Sequence, residues 1–179
     1  MNLTLPVGAD KPCGKLRHPR TQIKGRCVLG GCRAGKDKKT MLREGEVITA
    51  VCSYLKRHGC TIIEKRDVSE RGTDIDAKER KSGTRVLIEA KGNTSSKKMT
   101  RRYGMPFNRN QVRSHVASAF LKTAQLRSSK SSSSARVGMA FPRTSNHLSF
   151  VGELSHALKV LRIEVFWVDE KTHRVIHVR

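Results

Sequence analysis

The chain has 179 residues, room for one ordinary globular domain with a short appendage, and its 37 Lys and Arg against 15 Asp and Glu give a formal net charge of +22 at pH 7. A charge of that size exceeds what solubility needs and points to a polyanionic partner, nucleic acid first and an anionic membrane surface second. No run of about eighteen uncharged apolar residues is present, and residues 1–12 lack a secretory hydrophobic stretch, so the sequence predicts a cytoplasmic protein without a membrane span.

Residues 1–39 hold ten Lys or Arg against Asp10 and Asp37, with many glycines and no periodic apolar face, which predicts a basic arm ahead of a domain at 40–179. Over 41–58 the apolar residues Val47, Ile48, Val51 and Leu55 recur at helical spacing, and Gly59 follows the basic end Lys56, Arg57, His58 as a natural stop. Three strands are expected next, at 60–68, 73–80 and 84–92, the last two joined by a turn at Lys81, Ser82 and Gly83, as an antiparallel meander. Val112, Val116, Phe120 and Ala124 predict a second amphipathic helix over 108–127, followed by a serine-rich loop at 128–134. A buried strand at 135–141, a helix at 149–161, a strand at 163–168 and an edge strand at 174–178 complete the chain. The expected fold is therefore α/β, a central mixed sheet in α-β-β-β-α-β order flanked by helices.

In the hairpin formed by the second and third strands, residues two apart share a face. A turn of even length then puts Asp74 and Asp76 on the same face as Glu89 and Lys91, and Ile75, Ala77, Val86, Ile88 and Ala90 on the other. Such alternation also describes an ordinary half-solvated hairpin. The chemistry is more specific. Carboxylates from two neighbouring strands can hold Mg²⁺, which takes one or two carboxylates and keeps several waters, and a lysine two residues on can orient a water or offset developing charge.

The stretches Gly72-Thr73-Asp74-Ile75-Asp76-Ala77 and Val86-Leu87-Ile88-Glu89-Ala90-Lys91-Gly92, preceded by Gly45-Glu46 and by Gly59-Cys60-Thr61-Ile62-Ile63, resemble the PD-(D/E)XK, or restriction-endonuclease-like, nuclease superfamily, in the style of its Holliday-junction-resolving members. The resemblance covers residues 41–168 and implies a Mg²⁺- or Mn²⁺-dependent endonuclease, with DNA favoured over RNA. It maps the metal-binding aspartate to Asp74, with Asp76 competing, and assigns Glu89 and Lys91 directly. The proline that names the motif is missing before Asp74. By the same resemblance Glu46 joins the metal from the first helix, in preference to Glu44, and Gln111, with His115 one turn on, is the polar residue supplied by the second. Glu46 also fits a role at the helix N-terminus, where an acid meets the positive end of the dipole.

Between Glu89 and Glu153 there is no acidic residue. Within that span Lys97, Lys98, Arg101, Arg102, Arg109 and Arg113 follow the Glu89–Lys91 segment closely and are expected to contact phosphates, with Tyr103 and Phe107 among them. In the arm, Cys13, His18, Cys27 and Cys32 are soft ligands at irregular spacing, which can form a Zn²⁺ knuckle or remain free thiols in a basic tail. The five cysteines all lie in the first 60 residues, a usage suited to reduced thiols or a metal rather than a disulfide framework. A non-catalytic nucleic-acid-binding protein, architectural or ribosome-associated, is the competing function, since the charge alone supports binding. The sequence leaves monomer and homodimer both open.

Overall fold

A computed structural model describes residues 41–66, 72–95, 103–129 and 134–179. The basic arm at 1–39, with Cys13, His18, Cys27 and Cys32, lies outside the described residues. The elements run α1 (Glu44–Arg57), β1 (Cys60–Lys65), β2 (Ile75–Glu79), β3 (Arg85–Ala90), α2 (Arg109–Ser128), β4 (Arg136–Pro142), α3 (Ser145–Glu153), α4 (Ser155–Val160), β5 (Ile163–Val168) and β6 (Val175–Val178). The α-β-β-β-α-β order is the one the hydrophobic patterning predicts.

All six strands form one mixed sheet in sequence order. Pairing is antiparallel from β1 to β3, parallel through β4 and β5, and antiparallel again at β6. The two parallel joins need crossovers, which α2 and the α3–α4 pair supply. One face of the sheet packs on α1, where Val47, Ile48, Val51 and Leu55 meet Ile75, Ala77, Val86, Ile88 and Ala90. The other face carries Met139, Phe141, Ile163 and Val165 against Val112, Val116 and Ala119 of α2 and Phe150, Val151 and Leu158 of α3 and α4. Both faces of the central strands are thus covered, which is why β4 and β5 are buried along nearly their whole length. Among the described residues β1 and β6 are the outer strands, and Ile63, Ile176 and Val178 stand exposed on them.

Two elements differ from expectation. The helix predicted at 149–161 begins at Ser145, where Thr144 caps it by accepting from the His147 N–H at 3.3 Å, and breaks at Leu154 (φ −93°, ψ 2°) into α3 and α4. The Leu154 N–H turns to Val151 O, and the change of direction lets Phe150, Val151 and Leu158 all reach the sheet. Strand β1 ends at Lys65 rather than 68, after a bulge between Ile62 and Glu64, and the residues just beyond Arg66 are not among those described. Among the described residues no helix is long and apolar enough to cross a membrane.

Candidate active site

The β2–β3 register pairs Ile75 with Ile88 and Asp76 with Leu87, so Asp74 stands opposite Glu89, just before β2 and near the end of β3. The connection closes through Glu79 N–H to Thr84 O at 2.9 Å, with Gly83 in the left-handed region at φ 70°, and its even length keeps the acids on one face. Asp74 is fixed by the backbone: the Ala90 N–H donates to its Oδ2 at 2.7 Å. Asp76, the competing aspartate, is taken by Arg85 in a bidentate pair, with Nε to Oδ1 at 3.0 Å and Nη2 to Oδ2 at 2.5 Å.

Lys91 leaves the end of β3 beside these acids, its N–H bonded to Ala140 O at 2.9 Å. Its ammonium donates to Glu89 Oε1 at 2.8 Å and lies 3.7 Å from Glu44 Oε2 and 3.9 Å from Asp74 Oδ2. A second ammonium closes the other side: Lys122 Nζ is in contact with Glu89 Oε2 and 3.9 Å from Asp74 Oδ1. Three carboxylates and two ammonium groups from α1, the start of β2, β3 and α2 therefore form one largely buried cluster.

The acid contributed by α1 is Glu44 and not Glu46. Glu46 is exposed and receives the Arg43 N–H at 2.7 Å, completing the first turn of the helix as a cap. Two residues along a helix turn the side chain by about 200°, so only one of the pair can face the sheet end. Contact at Gly92 selects Glu44: a Cβ on this residue would lie 2.5 Å from Glu44 N and 2.8 Å from both Arg43 C and Leu42 O. The approach is held by Asn93 N–H to Leu42 O at 2.9 Å, so the entry to α1 rests on the backbone just after Lys91.

Gln111 sits in the first turn of α2, where its side-chain oxygen accepts the Asn108 N–H at 3.0 Å while Asn108 accepts the Gln111 N–H at 2.9 Å. It shares a shallow cleft with Asn108, Asn110, Ser114 and His115. One turn on, burial and the Lys91 charge push His115 below the usual imidazole range, against a hydrogen bond with the Gly92 backbone that raises it. Of the expected phosphate contacts, Arg113 is exposed and Arg109 places its guanidinium 4.9 Å from the Phe150 ring centre while remaining exposed to solvent. Lys97, Lys98, Arg101 and Arg102 fall outside the described residues.

Burial pushes Asp74 above the ordinary carboxylate range, and the nearby Glu89 charge adds to this against the Ala90 N–H and the two lysines. Glu44 is raised for the same first reason, with Lys91 opposing. For Lys91, burial pulls down but the surrounding Glu89, Glu44 and Asp74 outweigh it, and the ammonium is held above its usual range. As arranged here Lys91 is a cation, suited to charge offset rather than proton abstraction.

Among the described residues no three His, Cys, Asp or Glu side chains converge in a ready ligand set. The donors nonetheless suit a hard cation. Glu89 Oε2 is buried and receives no well-directed hydrogen bond, and it and Asp74 Oδ1 both face the single positive charge of Lys122. Two carboxylates are the number of protein ligands that a water-rich Mg²⁺ site takes. Glu44 is the acid the resemblance passes over in favour of Glu46, and the one available signal for Lys122 is its helical spacing from Gln111, His115 and the buried Ala119.

No family model and no curated protein sequence matches the chain. Among solved structures, the crystal structure of an XisH family protein from Nostoc punctiforme is similar over 75% of this chain and 99% of that one, at 13% sequence identity and a TM-score of 0.44.

Proposed function

We propose that this protein is a metal-dependent nuclease that hydrolyses phosphodiester bonds, with DNA the favoured substrate. The observation that carries the reading is the facing of Asp74 and Glu89 across the β2–β3 pair with Lys91 bonded to Glu89 at 2.8 Å. Asp74 and Glu89 would hold a divalent ion, Mg²⁺ or Mn²⁺, with Glu44 at its margin. When bound, such an ion polarises the scissile phosphate and lowers the pKa of a coordinated water. Lys91, kept cationic by its acidic neighbours, would offset the charge that develops on the phosphoryl oxygens. Arg109 and Arg113 at the start of α2, with Lys97, Lys98, Arg101 and Arg102 before them in sequence, would grip the backbone, and the net charge of +22 would draw the polyanion in. The resemblance of the Asp74 and Glu89-Ala90-Lys91 segments to the PD-(D/E)XK motif, in the α-β-β-β-α-β order described above, supports the same reading.

One observation favours the competing function. Two lysines offset two of the three acid charges of the cluster, as in a structural ion-pair network, and a non-catalytic nucleic-acid-binding protein needs nothing more. Incubating the full chain with plasmid, linear duplex, single-stranded, branched and RNA substrates, with Mg²⁺ or Mn²⁺ and with chelator, separates the two. Cleavage that needs the ion and disappears in Glu89→Gln supports the nuclease. Tight binding without cleavage of any substrate supports the binder.

A further inference from the structure

Resting on the metal-site reading above, we infer that Lys122 is a tethered competitor for the divalent ion, occupying the cation position between Asp74 and Glu89 and setting how tightly a metal binds there. Its ammonium contacts Glu89 Oε2 and stands 3.9 Å from Asp74 Oδ1, the two oxygens left over once Ala90 has taken Asp74 Oδ2 and Lys91 has taken Glu89 Oε1. Those two oxygens, of Asp74 just before β2 and Glu89 on β3, belong to the residues that would hold a divalent ion.

The two lysines of the cluster are not equivalent. Lys91 is enclosed, its side chain 17% exposed and surrounded by Glu89, Glu44 and Asp74. Lys122 reaches in from the rim on α2, its side chain 34% exposed, and among the described residues its ion-pair partners are Asp74 and Glu89. It therefore has a route out on a flexible stem, while its backbone stays anchored by Ala119 and Thr123, both fully buried on the same helix. Having left, it meets no competing acid on its own helix, because no Asp or Glu lies between Glu89 and Glu153.

A divalent ion and an ammonium cannot share this space. At about 4 Å, charges of the same sign repel strongly where solvent is partly excluded, so entry of the ion requires the ammonium to withdraw. Metal affinity measured on the chain is then the intrinsic affinity of the carboxylates reduced by the hold of Lys122. Removing the charge but keeping the stem should tighten the metal; keeping the charge should not.

The test is Mn²⁺ binding to the full chain near pH 7.5, measured by calorimetry without nucleic acid, for wild type, Lys122→Met, Lys122→Arg and Glu89→Gln. Lys122→Met should bind Mn²⁺ at least about tenfold more tightly than wild type, Lys122→Arg should stay within about threefold of it, and Glu89→Gln should lose the site. In chelator Lys122→Met should melt lower than wild type, and Mn²⁺ should raise its melting temperature by more. If Lys122→Met is too unstable to purify, Lys122→Gln serves the same comparison. A wild type that binds Mn²⁺ through Glu89, with unchanged or weaker binding in Lys122→Met, overturns the role of Lys122 and leaves the metal site standing. No Mn²⁺ bound to either protein removes the metal site itself, and this inference with it.

Discussion

Replacing Gly92 by Ala probes the contact that brings Glu44 to the cluster. The added Cβ would lie 2.5 Å from Glu44 N, nearly an ångström inside the 3.4 Å at which ordinary contact begins, and 2.8 Å from Arg43 C and Leu42 O. All three are backbone atoms, so no side chain can rotate away. Relief requires the start of α1 to lift from the end of β3, straining the Asn93 N–H to Leu42 O bond of 2.9 Å and uncovering Leu42, which is 1% exposed. Overpacking of this kind costs about 1–3 kcal/mol, and the weakened hydrogen bond adds about 1. A loss of roughly 3 kcal/mol is expected in urea denaturation, equivalent to a fall in melting temperature of about 6–12 °C for a domain of this size. Gly45→Ala is the matched control: it lies in the first turn of the same helix with nothing within 4 Å of its Cβ position, and should be neutral or stabilising by up to about 1 kcal/mol. Equal stability of the two variants, or a loss below about 0.5 kcal/mol for Gly92→Ala, would refute the docking of α1 described here.

Glu89→Gln should abolish divalent-dependent cleavage in a gel assay while duplex binding in chelator persists, because the amide keeps the shape and removes one ligand charge. Glu44→Gln should weaken Mn²⁺ binding several-fold, whereas Glu46→Gln should leave it unchanged and cost up to about 1 kcal/mol of stability as a lost charge–dipole interaction, the amide oxygen still accepting the Arg43 N–H, both read by calorimetry and melting. Arg109→Ala with Arg113→Ala should weaken duplex binding for all sequences alike and lower the slope of log affinity against log salt by roughly one to two. His147 is fully buried, and burial, with the nearby His115 adding to it, brings its imidazole down from 6.5 to about 4. Below pH 6.5 the unfolded chain takes up this proton and the folded one does not. Stability should therefore fall as pH drops from 6.5 towards 4, by up to about 1.4 kcal/mol per pH unit, and His147→Leu should flatten that part of the profile of urea midpoints.

The parts of the site visible in the sequence are those governed by local periodicity. Alternation alone places Asp74 and Glu89 on one face, because a hairpin of known turn length leaves no freedom, and Lys91 follows by continuing the chain. The choice between Asp74 and Asp76 was not local, since it depends on Arg85 capturing Asp76 from the paired strand. Glu44 and Glu46 flank one glycine in the same helical turn, and only the close approach at Gly92, 48 residues on from Glu44, decides which acid turns inward. Lys122 is one cation among several on a helix with a weak apolar stripe, and its partner becomes evident only when α2 packs over β3 and β4. The break at Leu154 was hidden because the apolar spacing on either side continues, while the earlier start at Ser145 rests on a single threonine cap.

The two outer strands bear on how copies of this protein meet one another. Among the described residues both β1 and β6 lie at an edge of the sheet with one side unpaired, with Ile63 on one and Ile176 and Val178 on the other, features that invite pairing between sheets of separate molecules. Mutual repulsion between bodies of charge +22 opposes such growth. The same charge that would recruit a polyanion on the function proposed above also acts as a solubility guard, and it is withdrawn whenever the charge is neutralised or screened. Crowded onto a nucleic acid, or in high salt, neighbouring copies lose that guard at the moment their edges are brought closest.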